Sequence, residues 1–213
     1  MVACMNPLLV EMPDHLATHR LLLRCPTERD ASQVNAAVCE SLADLRPWMP
    51  WAQIEPSLVQ SQADCRRLQA RFLLREDLAM FIFERRADGS EGRFIGGTGL
   101  HRLQWEARCF EIGYWCRTSM QGQGFVGEAV GALSHFAFGA LGAQRIEVRM
   151  DEANERSRRV AERAGFQLEG VLRSASLTPQ GALRDTRVYA RLRSADERAC
   201  TDAWAGLNAP ERA

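Results

Sequence analysis

The chain has 213 residues, enough for one domain with a proper core, and its 46% apolar and 25% charged residues suit an ordinary globular protein. The formal net charge is zero, so no electrostatic case exists for a nucleic-acid or membrane surface. No apolar run approaches the roughly 20 residues of a bilayer span, and "MVACMNPLLVEMPDH" lacks the basic region and long apolar core of a signal peptide. "RLLLR" at 20–24 reads as a short strand, and Thr27 with Asp30 offers a capping box. Ala31, Val34, Val38, Leu42 and Leu45 follow at helical spacing, until the two prolines of "RPWMPW" (46–51) stop the helix. A second helix is expected from about Ser57 to Glu76, with Val59, Ala63, Leu68 and Phe72 inward. "MFIFERR", "RFIGGTGL" and "RCFEIGYWC" then read as strands of an antiparallel meander.

After that meander a glycine loop leads into a helix from Glu128 to about Leu141, with Val130, Leu133, Ala137 and Leu141 buried and Gly142 as its stop. "RIEVRM" (145–150) alternates strictly, as a half-buried strand does. A short helix over about 156–164 ends at Gly165, and "FQLEGVLR" and "RDTRVYARLR" close the domain around "TPQG". The expected organisation is an N-terminal arm over 1–17, one domain over 18–193 and a C-terminal tail over 194–213.

Seven cysteines are an odd number, spread out and without a C-x-x-C pair, which fits a reducing cytoplasm better than a disulfide framework or a zinc site. Lys and Arg together number 27, and every one is arginine. A phosphate loop ending in G-K-[ST] is therefore excluded, as is Schiff-base chemistry. His15 and His19 are four apart but lack the acid of H-E-x-x-H, so no metal site is expected.

"QGQGFVGE" (121–128) places Gly122, Gly124 and Gly127 at G-x-G-x-x-G spacing, the dinucleotide fingerprint. Its context does not fit. "RTSMQ" separates the strand from Gly122, a meander precedes it, and the acids Glu147 and Asp151 come late for gripping a ribose. A strand, a glycine loop and a helix N-terminus remain, and free N–H groups there attract an anion.

"EIGYWCRTSMQGQGFVGEA", "NERS" (154–157) and "ERAGF" (162–166) resemble the GNAT superfamily of acyl-CoA N-acyltransferases, whose [QR]-x-x-G-x-[GA] loop binds the coenzyme A pyrophosphate. "LRPWMPW" (45–51), "GLHRLQWEAR" (99–108) and "EGVLR" (169–173) are similar to its RimJ/RimL branch, which acetylates protein N-termini. The resemblance spans about 18–193. It implies an α/β (α+β) fold: a mixed, mostly antiparallel sheet with flanking helices, splayed between "EIGYWC" and "RIEVRM". It implies acetyl-CoA as co-substrate, no metal, and direct transfer to a primary amine. The acceptor is a protein α-amine by the branch, or a small-molecule amine by other relatives; a non-catalytic acyl-CoA sensor is the rival reading. A homodimer is left open.

The resemblance assigns roles residue by residue. Glu111 is the expected base, through a water; its other reading is a salt-bridged strand residue. Ser157 is the candidate to steady or protonate the leaving thiolate, and its other reading is a helix cap. Gln121, Gly122, Gln123, Gly124, Phe125, Val126 and Gly127 form the pyrophosphate loop, with Val126 where the pattern wants Gly or Ala. Asn154 and Ser157 hydrogen-bond the pantetheine arm, and the backbone of Tyr114, Trp115 and Cys116 pairs with its amides. Trp48, Trp51 and Trp105 line the acceptor side with His101 beside them, although aromatic residues and a lone histidine are commonly structural. Ala161 stands where many members carry a tyrosine acid, and Ser174 where several RimL-like chains carry an acid. Cys116 lacks a base partner that would make it an acyl carrier.

Overall fold

The computed structural model describes residues 6–195. Eight strands form one sheet: β1 (His15–Ala17), β2 (Leu21–Arg24), β3 (Leu78–Arg85), β4 (Glu91–Gln104), β5 (Cys109–Cys116), β6 (Arg145–Asp151), β7 (Gln167–Leu177) and β8 (Leu183–Leu192). Their order is β1-β2-β3-β4-β5-β6-β8-β7, and every neighbouring pair is antiparallel except β5–β6. Four α-helices flank the sheet: α1 (Ala31–Leu45), α2 (Leu58–Leu73), α3 (Phe125–Gly139) and α4 (Glu155–Arg163). The sheet begins at His15, inside the segment expected to be an arm. Residues 1–5 of that arm and 196–213 of the expected tail lie outside the described residues.

Strand alternation sends side chains to two different cores. On one face Met80, Ile82, Ile95, Leu100, Phe110 and Ile112 pack with Val130, Leu133 and Ala137 of α3 and Ala161 of α4. On the other, Phe81, Phe83 and Phe94 meet Ala31, Ala37 and Cys65 of α1 and α2, with Trp115 packed alongside. The inward stripe of α2 is Ser61, Cys65 and Phe72, with Leu68 half-buried; Val59 is 73% exposed and Ala63 is exposed too. The helical period decides this: 61, 65, 68 and 72 step by four and three, whereas 63 to 68 is one residue too long for a single face.

Two corrections concern helix starts. Helix α3 begins at Phe125, three residues ahead of Glu128, because Gly124 takes the cap position with φ +80°. Helix α4 begins at Glu155, capped by Asn154, whose side chain accepts the Ser157 N–H at 3.0 Å. Ser157 is therefore not the cap.

The Thr27–Asp30 box forms as expected, with the Thr27 amide 2.7 Å and its hydroxyl 3.0 Å from Asp30 Oδ2. Asp30 is also held by both terminal nitrogens of Arg24 at 2.7 and 2.8 Å. Burial would raise the Asp30 carboxyl, but these bonds outweigh it and hold it below its ordinary value. The network ties β2 to the entrance of α1, the helix whose C-terminal half holds residues 118–121.

Candidate active site

Strands β5 and β6 pair at only three positions, Cys109–Arg145, Phe110–Ile146 and Glu111–Glu147. Beyond Glu111 the two strands run on without pairing to each other, β5 to Cys116 along β4 and β6 to Asp151 along β8. The sheet therefore opens as a wedge whose apex lies at the two glutamates, the splay that the resemblance implies. Backbone N–H and C=O groups of β5 past the apex face that wedge, and such groups demand partners.

Glu111 sits on the α1/α2 face, its side chain only 20% exposed. Its Oε2 is buried and accepts no hydrogen bond from the described residues; Arg102 lies 3.4 Å away and Arg149 3.7 Å away. Burial raises its carboxyl above the ordinary value, against the pull of Arg102, Arg149 and His101. Glu147, its register partner, has a different environment. Arg145 at 2.7 Å and Arg149 at 2.9 Å satisfy it and hold it below its ordinary value despite burial. Of the two carboxylates at the apex, Glu111 is the one held above its ordinary value.

Across the wedge stands Ser157 on α4. The Tyr114 hydroxyl lies 3.0 Å from the Ser157 carbonyl oxygen and 2.9 Å from its Oγ. Burial pushes the Tyr114 phenol up to about 12, so it stays protonated at neutral pH. The sequence reading gave Tyr114 only a backbone role and missed this contact. The alternation of β5 could have found it, since Phe110, Ile112, Tyr114 and Cys116 share the face toward α3 and α4. Ala161, one helical turn beyond Ser157, is fully buried, so a phenol reaches this helix face from Tyr114 instead. Burial also pushes the Cys116 thiol up to about 11, which leaves no thiolate for acyl transfer.

The glycine loop is held by the C-terminal half of α1. Ser41 Oγ accepts the Thr118 N–H at 2.9 Å, Glu40 accepts the Ser119 N–H at 2.9 Å, and Asp44 accepts the Thr118 hydroxyl at 2.8 Å. Gln121 spans the loop, donating to Asp44 at 3.3 Å and accepting from Arg156 at 2.8 Å. Gly122 and Gly124 have φ of +77° and +80°, whereas Gly127 lies in the first turn of α3 with ordinary φ. The Arg20 guanidinium stands over the Phe125 ring at 4.8 Å and donates to the Gln123 carbonyl at 3.1 Å. The same guanidinium is paired with Glu128 of α3 at 2.6 Å, so what is left to receive a pyrophosphate at Gln123–Gly127 is the set of N–H groups at the α3 N-terminus. The crossover β5–α3–β6 is a βαβ unit after all, but Glu147 is committed to Arg145 and Arg149 at the apex.

The aromatic candidates separate. Trp48 lines a cleft of 370 Å³ with Asp44, Pro47, Asn154 and Arg156, between the end of α1 and the β6–α4 turn, at the open end of the wedge. Trp51 stands edge-on to Trp115 at 5.7 Å. Trp105 is not brought to this side: it packs on Phe110 at 5.3 Å, and its indole N–H donates to the Arg75 carbonyl at 3.0 Å. His101 is the register partner of Glu111 and contacts Asp77. Ser174, at φ +49°, donates its amide to Asp185 at 2.7 Å on exposed β7. Among the described residues no three His, Cys, Asp or Glu side chains gather to hold a metal, and no helix is long and apolar enough to cross a membrane.

A split mixed sheet, a glycine-led helix start, and Glu111 and the Tyr114–Ser157 pair on the two faces of the same strand are the features of an acyl-CoA-dependent acyltransferase. The family described as "Acetyltransferase (GNAT) domain" matches residues 20–167. The chain is 30% identical over 175 residues to a ribosomal-protein-serine acetyltransferase of Escherichia coli (strain K12), covering 81% of this chain and 92% of that one. It is 33% identical over 174 residues to the uncharacterized N-acetyltransferase YoaA of Bacillus subtilis (strain 168), covering 82% and 94%. In fold it matches RimL, a ribosomal L7/L12 α-N-protein acetyltransferase solved with coenzyme A, at TM-score 0.75 and 23% identity over 84% of this chain and 97% of that one. The microcin C7 self-immunity acetyltransferase MccE, solved with acetyl-CoA and AMP, matches at TM-score 0.74 and 22% identity over 82% and 93%. The chain belongs to the GNAT acetyltransferase family, in its RimJ/RimL type, and uses acetyl-CoA.

Proposed function

We propose that the protein moves acetyl from acetyl-CoA directly to the α-amine of a protein N-terminus, in the cytoplasm. The observation that carries this reading is the buried Glu111 Oε2 at the apex of the wedge, which accepts no hydrogen bond among the described residues. An amine attacks only when neutral. An α-amine, with a pKa of about 7.7–8.0, needs less help at pH 7 than a lysine amine at about 10.4. Glu111 takes the ammonium proton through a water. The amine then attacks the thioester carbonyl, and the C–S electron pair leaves with sulfur. As the adduct collapses the nitrogen gives up its second proton, and Ser157, anchored by Tyr114, steadies that sulfur and relays the proton to it. The amides of Gln123–Gly127 hold the pyrophosphate, and the backbone of Tyr114–Cys116 pairs with the pantetheine arm. The cleft beside Trp48 has room for a chain terminus, and the name of the E. coli relative supports a ribosomal-protein serine as acceptor.

Thiol release from acetyl-CoA tests the reading with three probes: a peptide with a free N-terminal serine, an N-blocked peptide with one lysine, and a panel of small amines. The free-serine peptide is expected to react fastest. Turnover of a small amine but of no peptide would move the acceptor to small molecules, and coenzyme A binding without turnover would make the protein a sensor. Glu111→Gln should lower kcat by about 10²–10⁴-fold with acetyl-CoA binding intact. Because burial holds Glu111 above the ordinary carboxylate value, wild-type activity falls as pH drops through that raised value, and the variant loses that limb.

A further inference from the structure

In β4, Leu100 faces the α3/α4 core and His101 the opposite side, so strict alternation would turn Arg102 back into that core. It does not turn there. His101 pairs with Glu111 and Gln104 with Cys109, so Arg102 and Leu103 together stand against Phe110, which is a β-bulge. Leu103 packs on the core cluster that contains Phe110. Arg102 is left exposed at φ +46°, in the left-handed region that one kind of bulge gives to glycine. The guanidinium released in this way comes to Glu111: Nη1 lies 3.4 Å from Oε2, with the Arg102 side chain 68% exposed. Oε2 nevertheless accepts no hydrogen bond among the described residues. Glu147 shows the contrast, since Arg145 and Arg149 fill both of its oxygens with hydrogen bonds. The other charged groups facing Glu111 are His101 of β4 and Arg149 and Glu147 of β6, with Arg149 3.7 Å away and already bonded to Glu147.

We infer that the β4 bulge makes Arg102 a positioning residue for Glu111, lending the carboxylate a positive charge without occupying the lone pairs of Oε2. The inference rests on the reading of Glu111 as base. Burial favours the protonated carboxyl, and a carboxyl that already holds a proton takes none from the acceptor. A guanidinium 3.4 Å away favours the ionised form. A hydrogen bond from it would do the same but would fill the place where the relaying water must bond. Standing near without that bond, the cation acts on the charge and leaves the oxygen open. Arg149 does not substitute for it, because its Nε is committed to Glu147. Without the Arg102 guanidinium, Glu111 keeps its proton to higher pH, so the acid limb of the activity moves upward.

A merely structural bulge would serve only to keep Arg102 out of the core, and two variants separate the roles. Arg102→Gly and Arg102→Ala both remove the guanidinium, but only glycine relieves the left-handed backbone. The glycine variant should melt about 2–8 °C above the alanine variant, and equal melting temperatures overturn the strained bulge. With the free-serine peptide, both variants should lose about 2–5-fold in kcat/KM at pH 6, the strength of an exposed ion pair expressed as a rate. Both should match the wild type at pH 9, with KM for acetyl-CoA unchanged. Arg102→Lys returns a cation and should recover the wild-type acid limb. A loss that is the same at every pH, no loss at pH 6, or a lysine variant that behaves like the alanine one overturns the inference. Carboxyl ¹³C NMR of Glu111 supplies a readout that needs no turnover. Its titration midpoint should rise in Arg102→Gly, and an unmoved midpoint overturns the coupling. If Glu111→Gln keeps its full rate, the base reading fails and this inference falls with it. If Glu111→Gln is slow while Arg102→Gly keeps the wild-type acid limb, the base reading stands and the role of Arg102 is refuted.

Discussion

The three glycines of 122–127 share one sequence pattern but differ in backbone, so replacing each with alanine should give effects of opposite sign. Gly124 has φ +80°, and a Cβ there would meet only Arg20 Nη2 at 3.6 Å, an ordinary contact. The cost of Gly124→Ala is therefore conformational, about 1–2 kcal/mol for an L-residue held in the left-handed region. For a chain of this length that corresponds to a melting temperature lower by about 2–8 °C. Gly122, at φ +77° with open space around it, should behave alike. Gly127 sits inside the first turn of α3, where a Cβ meets nothing within 4 Å. There alanine should gain about 0.5–1 kcal/mol, raising the melting temperature by about 1–4 °C. Thermal unfolding of the three variants with and without acetyl-CoA reads both effects. Gly124→Ala should also lose part of the ligand-induced shift, since the loop amides no longer point as they did. Destabilisation by Gly127→Ala would mean that the third glycine is required, as in a dinucleotide fingerprint, and would refute the reasoning. So would equal melting temperatures for all three variants.

Tyr114→Phe removes the hydroxyl that anchors Ser157, so stability should fall by about 1–2 kcal/mol and kcat should drop with KM for acetyl-CoA unchanged; steady-state kinetics that matched the wild type would remove Tyr114 from the chemistry. Asp30→Asn breaks the buried pair with Arg24 and should cost about 3 kcal/mol at pH 7. Because the Asp30 carboxyl is held below its ordinary value, its contribution is present at neutral pH and lost as pH falls through the folded value, so wild-type and variant denaturation midpoints should converge in acid. A gap that stayed constant down to pH 2 would count against the network.

Most of this architecture was legible because it depends on local chemistry. Two prolines after Leu45, the Thr27–Asp30 box and the alternation of 145–150 each set an element without long-range help. What escaped was whatever depends on partners distant in the chain. The inward phase of α2 was misread because Val59 and Ala63 are apolar, whereas Ser61 and Cys65 face the core in their place. The grip of Glu40, Ser41 and Asp44 on residues 118–121 links positions about 77 apart, which a single sequence does not signal. Trp105 was an acceptor-side candidate because it lies in a stretch similar to the RimJ/RimL branch; only the hairpin's geometry puts it against Phe110. His101 was assigned without Asp77, its partner 24 residues away.

The closed end of the wedge also works as a ruler. From Cys116 back to Glu111 is five strand steps, about 17 Å at about 3.3 Å each. With the pantetheine arm laid along β5 as proposed, that fixed length would meter how deep the acyl group travels, and the paired positions from Glu111 back to Cys109 close the channel. A longer acyl chain would have to unzip those pairs or bend toward α1, where the acceptor enters. On that proposed path, the same backbone pairing that holds the two halves of the sheet together would set the chain length of the group transferred.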